Sequence, residues 1–275
     1  MRTLKLTIAY DGTDYAGWQV QSGQRTIQGV LQETLQQILQ EPVSILGSGR
    51  TDAGVHALGQ VAHLRTRSTM PTLRLLRSLA ALLPNDIAVM RVEEAPPTFH
   101  AQYQVASKRY RYQLTTALVT TPFQRRYVYQ VFWRLNLAAM RREVRRLMGR
   151  HDVRAFQKAS RVVKDTRRGI LDASFRTRRS GLITIEVEAT GFLYGMMRNM
   201  VGTVLAVGRG KLPEGTIARA LRTGRRDLCG PPVPACGLML VSVKYGAFLT
   251  RSATRVEGRP PESAGQAGRI ARRRR

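Results

Sequence analysis

The chain has 275 residues, enough for one large domain or two modest ones that each bury a core. With 43% hydrophobic and 23% charged residues it has the composition of an ordinary folded protein, which excludes a low-complexity or fibrous chain. Forty-five Lys and Arg against 18 Asp and Glu leave a formal charge of +27, which favours polyanionic partners, nucleic acid first and an anionic membrane surface second.

Leu4 to Tyr10 alternates with period two and runs into the Asp11-Gly12 turn signal, which predicts a strand. Apolar residues at 27, 30, 31, 35 and 38 predict a helix that Thr26 caps. Short apolar strands are expected at 42–47 and 59–65. A helix is expected from Pro71 to Leu82, halted before Pro84, and a strand over 87–92. The second half repeats the outline: a strand at 108–114, a helix at 136–148 and a hairpin of 170–176 with 182–189 around Ser180-Gly181. A long apolar helix at 192–207, a short one at 214–221 and a last strand at 237–245 follow. Strand–helix–strand–strand units thus occur twice, over 1–104 and 105–249, and point to an α+β fold with mainly antiparallel sheet.

Residues 250–275 form a basic tail expected to be disordered. From Arg251 onward the tail holds eight Arg and two Glu with almost no large apolar residue, a net +6, so the body keeps +21. Cys229 and Cys236 are too few for a disulfide framework and have no nearby His to make a zinc site. His56 and His63 lack a third ligand and read as structural residues. Met196, Met197 and Met200 read as core. No apolar run reaches the ~20 residues of a membrane span, and the opening residues carry no signal-peptide block, so a cytoplasmic protein is expected.

The segment with chemical content is Gly47 to Ala57, reading GSGRTDAGVHA. Its glycines let the backbone turn sharply between two strands, and it sets the guanidinium of Arg50 two residues from the carboxylate of Asp52. It is no Walker loop, because Gly-Lys-Ser/Thr is missing. It is no dinucleotide fingerprint either, because Asp52 stands where Gly or Ala is required and no helix follows. An Asp in a glycine-rich loop is ordinarily a turn residue, but the string Gly49 to Ala57 as a whole closely resembles the signature of the TruA family of tRNA pseudouridine synthases. Further stretches are similar to that family: Tyr10 to Gln19, Thr26 to Gly29, Phe99-His100-Ala101 with Lys108 to Tyr112, Gly191 to Gly202, and Pro234 to Leu238.

The resemblance spans about residues 3–247. It implies the pseudouridine synthase fold, two βαββ-type subdomains around a central basic cleft, with Asp52 as the catalytic residue. It implies Tyr110 packed against the target base and Arg198 near the catalytic carboxylate. It also implies a homodimer that modifies uridine at positions 38–40 of the tRNA anticodon stem-loop, without cofactor or metal.

The residue types suit that reaction. Breaking the N1–C1′ bond, turning the base and joining C5 to C1′ oxidises nothing and releases nothing. The positive charge that develops on the sugar needs a carboxylate, as in glycosidases. The sequence leaves open whether Asp52 attacks C1′ or removes the C2′ proton. In a site dry enough to exclude water, Asp52 needs a neighbouring guanidinium to stay ionised, and Arg50 and Arg198 are the candidates. The target base must be flipped out and held by stacking. Tyr110 and Tyr112 share one strand face; the resemblance favours Tyr110. Two other readings compete. A silent RNA-binding protein would keep the basic surface and lose the carboxylate. A membrane-surface protein would need an amphipathic basic helix, for which 135–148 with Arg141, Arg142, Arg145 and Arg146 is the nearest segment.

Overall fold

A computed structural model of the chain describes residues 1–158 and 165–246. The basic tail expected beyond residue 249 lies outside the described residues. The first half runs β1 (Arg2–Tyr10), α1 (Ile27–Leu39), β2 (Ile45–Gly47), β3 (His56–Thr66), α2 (Thr72–Leu82) and β4 (Ile87–Ala95). The second runs β5 (Val105–Thr115), β6 (Tyr129–Gln130), α3 (Leu137–Arg145), β7 (Gly149–Asp152), β8 (Arg167–Thr177), β9 (Leu182–Ala189), α4 (Met196–Gly208), α5 (Thr216–Thr223) and β10 (Leu238–Tyr245).

The strands form one sheet in the order β4-β1-β3-β10-β5-β9-β8-β7, with β2 added to β3 and β6 to β5. All pairings are antiparallel except β10 with β3 and β6 with β5. The expected α+β architecture with mainly antiparallel sheet is therefore present. The last strand, β10, sits between β3 and β5 and joins the strands of the two halves into a continuous sheet.

Local chemistry explains most boundaries. Thr26 caps α1, its Oγ1 accepting from Gly29 N at 3.2 Å. Leu4, Leu6 and Ile8 of β1 are buried in one core with Ile27, Leu31 and Leu35 of α1, and each such side chain contributes about 1.5–3 kcal/mol. Met196, Met197, Met200 and Val204 of α4 belong to the same core as Ile185 and Val187 of β9, so the three methionines of this helix pack as expected.

Several elements differ from the sequence expectation. The apolar run from Phe192 becomes helical only at Met196, because Gly195 adopts φ +69 and turns the chain first. The arginine-bearing helix ends at Arg145 rather than 148. Arg142 pairs with Glu214 at 2.5 Å, and Arg146 with Glu143 at 2.7 Å and Glu214 at 3.4 Å, so part of its charge is neutralised internally. Glu143, fully buried, also accepts from Gly215 N and Ile217 N at the start of α5. Strands β6 and β7 are too short and polar to show a period. Among the described residues, no helix is long and apolar enough to cross a membrane.

Candidate active site

Asp52 lies in the turn between β2 and β3, which is braced from two sides. From the first, the segment after β1 lies against it: Trp18 N donates to Thr51 O at 3.0 Å, and Gly54 N to Tyr15 O at 3.4 Å. The approach is so close that a Cβ on Gly12 would stand 2.1 Å from Val55 O. Gly54 closes the turn with φ +74, where Val55 N donates back to Asp52 O at 3.1 Å. The resemblance-bearing stretch Tyr10 to Gln19 is thus the mechanical support of the Asp52 turn.

From the second side, polar side chains hold the preceding residues. Buried Gln60 accepts from Ser48 Oγ at 2.7 Å through Oε1 and donates through Nε2 to Gly49 O at 2.9 Å. Lys108 of β5 donates to Ser48 O at 2.6 Å, and desolvation pushes its ammonium down to about 8. Tyr10 OH and Thr51 Oγ1 share a buried hydrogen bond of 2.8 Å.

The Asp52 carboxylate is half-buried, and Arg198 of α4 brings Nη1 to 3.7 Å from its Oδ2. Burial raises the Asp52 pKa above the usual carboxylate value, with Arg198 and then Lys158 opposing the rise. Arg198 is itself fixed: its Nε donates to Val233 O at 2.8 Å, and its carbonyl accepts from Val233 N at 3.2 Å. Tyr110 is buried, edge-on to Phe192 at 4.7 Å between ring centroids. Its phenol is pushed up by desolvation and then by the charges of Tyr10 and Asp52. The structure therefore gathers Asp52, Arg198 and Tyr110. Arg50 is exposed and, among the described residues, makes no ion pair; of the two arginines considered, Arg198 is the one beside Asp52.

Sequence reasoning missed Lys158 and Lys108. Lys158 sits in a stretch without periodicity and reaches the site because its N donates to Tyr194 O at 2.8 Å, while Nζ lies 5.1 Å from the Tyr194 ring centre. Lys108 was visible only as one base in the run Lys108 to Tyr112; period two does place it on the Tyr110 face. His56 is structural, as expected: Nδ1 accepts from Gly12 N at 3.1 Å, and Nε2 faces Cys236 O at 3.2 Å. His63 accepts from Ala101 N at 3.2 Å through Nδ1.

Comparison with known proteins identifies the family. A family model described as tRNA pseudouridine synthase matches residues 6–104 and 144–246. A tRNA pseudouridine synthase A from an Exiguobacterium species is 43% identical over 245 residues, covering 89% of this chain and 98% of the relative. Those of Ruminiclostridium cellulolyticum and Solidesulfovibrio magneticus are each 40% identical, over 245 and 271 residues, covering 89% and 96% of this chain and 100% and 99% of the relatives. With the family model matching most of the chain and relatives 40–43% identical along nearly their whole length, the chain belongs to the tRNA pseudouridine synthase family, isomerases that make pseudouridine in tRNA.

Proposed function

We propose that this enzyme converts uridine to pseudouridine at positions 38–40 of the tRNA anticodon stem-loop. Asp52 is the essential carboxylate, Arg198 orients it, Tyr110 packs against the target base and Arg50 contacts the RNA. The observation that carries the reading is the half-buried Asp52 carboxylate set 3.7 Å from a fixed guanidinium at a braced turn. An anion in that place stabilises or traps positive charge developing at C1′ as the N1–C1′ bond breaks. The uracil then rotates, C5 bonds to C1′, and the proton at C5 is lost to solvent while N1 gains one. Nothing is oxidised, so the step calls for no cofactor or metal, and activity is expected to survive EDTA when the RNA is kept folded by polyamine.

A silent RNA-binding scaffold is disfavoured by the same carboxylate, whose burial would be a cost without a use. The halves 1–104 and 105–249 serve in this reading as subdomains flanking one basic cleft, in a cytoplasmic homodimer whose two subunits share each tRNA. Unmodified tRNA transcripts incubated with the protein and mapped for pseudouridine by carbodiimide primer extension test it. Stops confined to positions 38–40 are expected; modification only elsewhere overturns the site assignment.

A further inference from the structure

The loop joining β5 to β6 is fastened at its ends and bare at its tip. Leu114 pairs with Tyr129 and Thr115 with Gln130, and Gln130 Nε2 donates to Ala117 O and Leu118 O at 3.0 and 2.9 Å. Within it, Thr121 O accepts from Gln124 N and Arg125 N, and Gln124 O from Tyr127 N. Its last residues are tied to the supports of the Asp52 turn. Tyr127 OH donates to Asp11 Oδ2 at 2.9 Å, the Tyr127 ring meets His56 at 5.0 Å, and Arg126 lies 3.6 Å from both Asp11 and Asp14. Arg125 and Arg126 line a pocket with Thr13, Gly54 and Cys236, which places it two residues along the chain from Asp52. Phe123, between these anchors, is 89% exposed. The loop falls between the two stretches that the family model matches.

A bare phenyl ring on a well-anchored turn contributes nothing to the core, and such exposure marks a contact surface. Arginines beside it narrow the partner. Unpaired RNA bases are held by a flat side chain for stacking and a guanidinium for the adjoining phosphate. We propose that Phe123, Arg125 and Arg126 form a binding site for an unpaired base of the substrate RNA and its phosphate, beside the target uridine. This rests on the reading of the enzyme as acting on a tRNA loop.

The test uses the full chain and an unmodified tRNA transcript carrying 2-aminopurine at single loop positions. Stacking on Phe123 quenches the probe at one position on binding. Phe123→Ala and Phe123→Leu are expected to abolish that quenching and to weaken binding about tenfold, within the range for loss of one base–aromatic stack. Phe123→Trp is expected to restore both. Thermal unfolding should be unchanged in all three, since the ring is outside the core. The binding arm reads the site even if no pseudouridine forms, so failure of the proposed function and failure of this site are separate results. Unaltered quenching and affinity in Phe123→Ala overturn the proposal, as does a change in oligomeric state by light scattering, which would make the ring a subunit contact.

Discussion

Arg198 is held at 3.7 Å from Asp52 by a second bond, from its Nε to the Val233 carbonyl at 2.8 Å. The guanidinium is therefore a fixed part of the fold before any substrate arrives. A planar, pre-oriented cation costs little reorganisation when charge develops beside it, and it offsets the desolvation that raises the Asp52 pKa.

Asp52→Asn removes the charge and keeps the shape. Pseudouridine formation, read by tritium release from C5-labelled tRNA, is expected to fall on the order of a thousandfold or more. Affinity for tRNA should change little, because phosphate contacts dominate binding. Because burial raises the folded-state pKa of Asp52, folding favours the protonated form. Stability from this group is present below its unfolded value and lost as pH rises through the folded pKa. At neutral pH the ionised Asp52 is a cost, so the Asn variant should melt no lower than wild type. Residual turnover within tenfold of wild type would remove Asp52 from the chemistry.

Arg198→Gln deletes the cation that most strongly opposes the rise in the Asp52 pKa. The acid limb of the kcat profile should then move to higher pH, since in the proposed reaction the carboxylate acts in its ionised form. Arg198→Lys keeps a charge but loses the planar fork and the tie to Val233, so its limb should move less while kcat drops on the order of 100-fold. Profiles of both variants that superimpose on wild type would break the link.

Gly12→Ala puts a methyl group 2.1 Å from the Val55 carbonyl oxygen, a backbone atom that cannot swing away. Overpacking of this kind costs about 1–3 kcal/mol, and here it also displaces the Asp52 turn. Thermal unfolding should fall by several degrees, with kcat reduced below what unfolding alone explains. A variant with wild-type Tm and kcat would mean the turn is not braced by this contact.

Deletion of residues 251–275 removes a net +6. It should weaken tRNA binding chiefly at low salt and flatten the slope of log K against log salt by roughly 0.7–0.9 per lost phosphate contact. Turnover at saturating tRNA and the choice of uridine should be unchanged. Equal slopes for full-length and truncated protein would show the tail to be a passive extension.

Local rules carried much of this protein. Period two in Leu4 to Tyr10 and Lys108 to Tyr112, the Thr26 cap and the proline and glycine stops mark their elements because each depends on neighbours within a few residues. The GRTDAGVHA string marked the Asp52 turn for the same reason. The resemblance pointed to Arg198 beside that carboxylate, but residue chemistry left Arg50 and Arg198 both open, and tertiary structure decided between them. Arg50 is two residues from Asp52 and turns to solvent, while Arg198, 146 residues away in the sequence, reaches it because α4 starts late, after Gly195, and is tied to Val233. Lys158 arrives by the same kind of long-range packing, as does Lys108 at the Ser48 carbonyl that precedes the turn. Charge–charge distance is set by how a sheet and its helices close on one another, and sequence separation does not encode it.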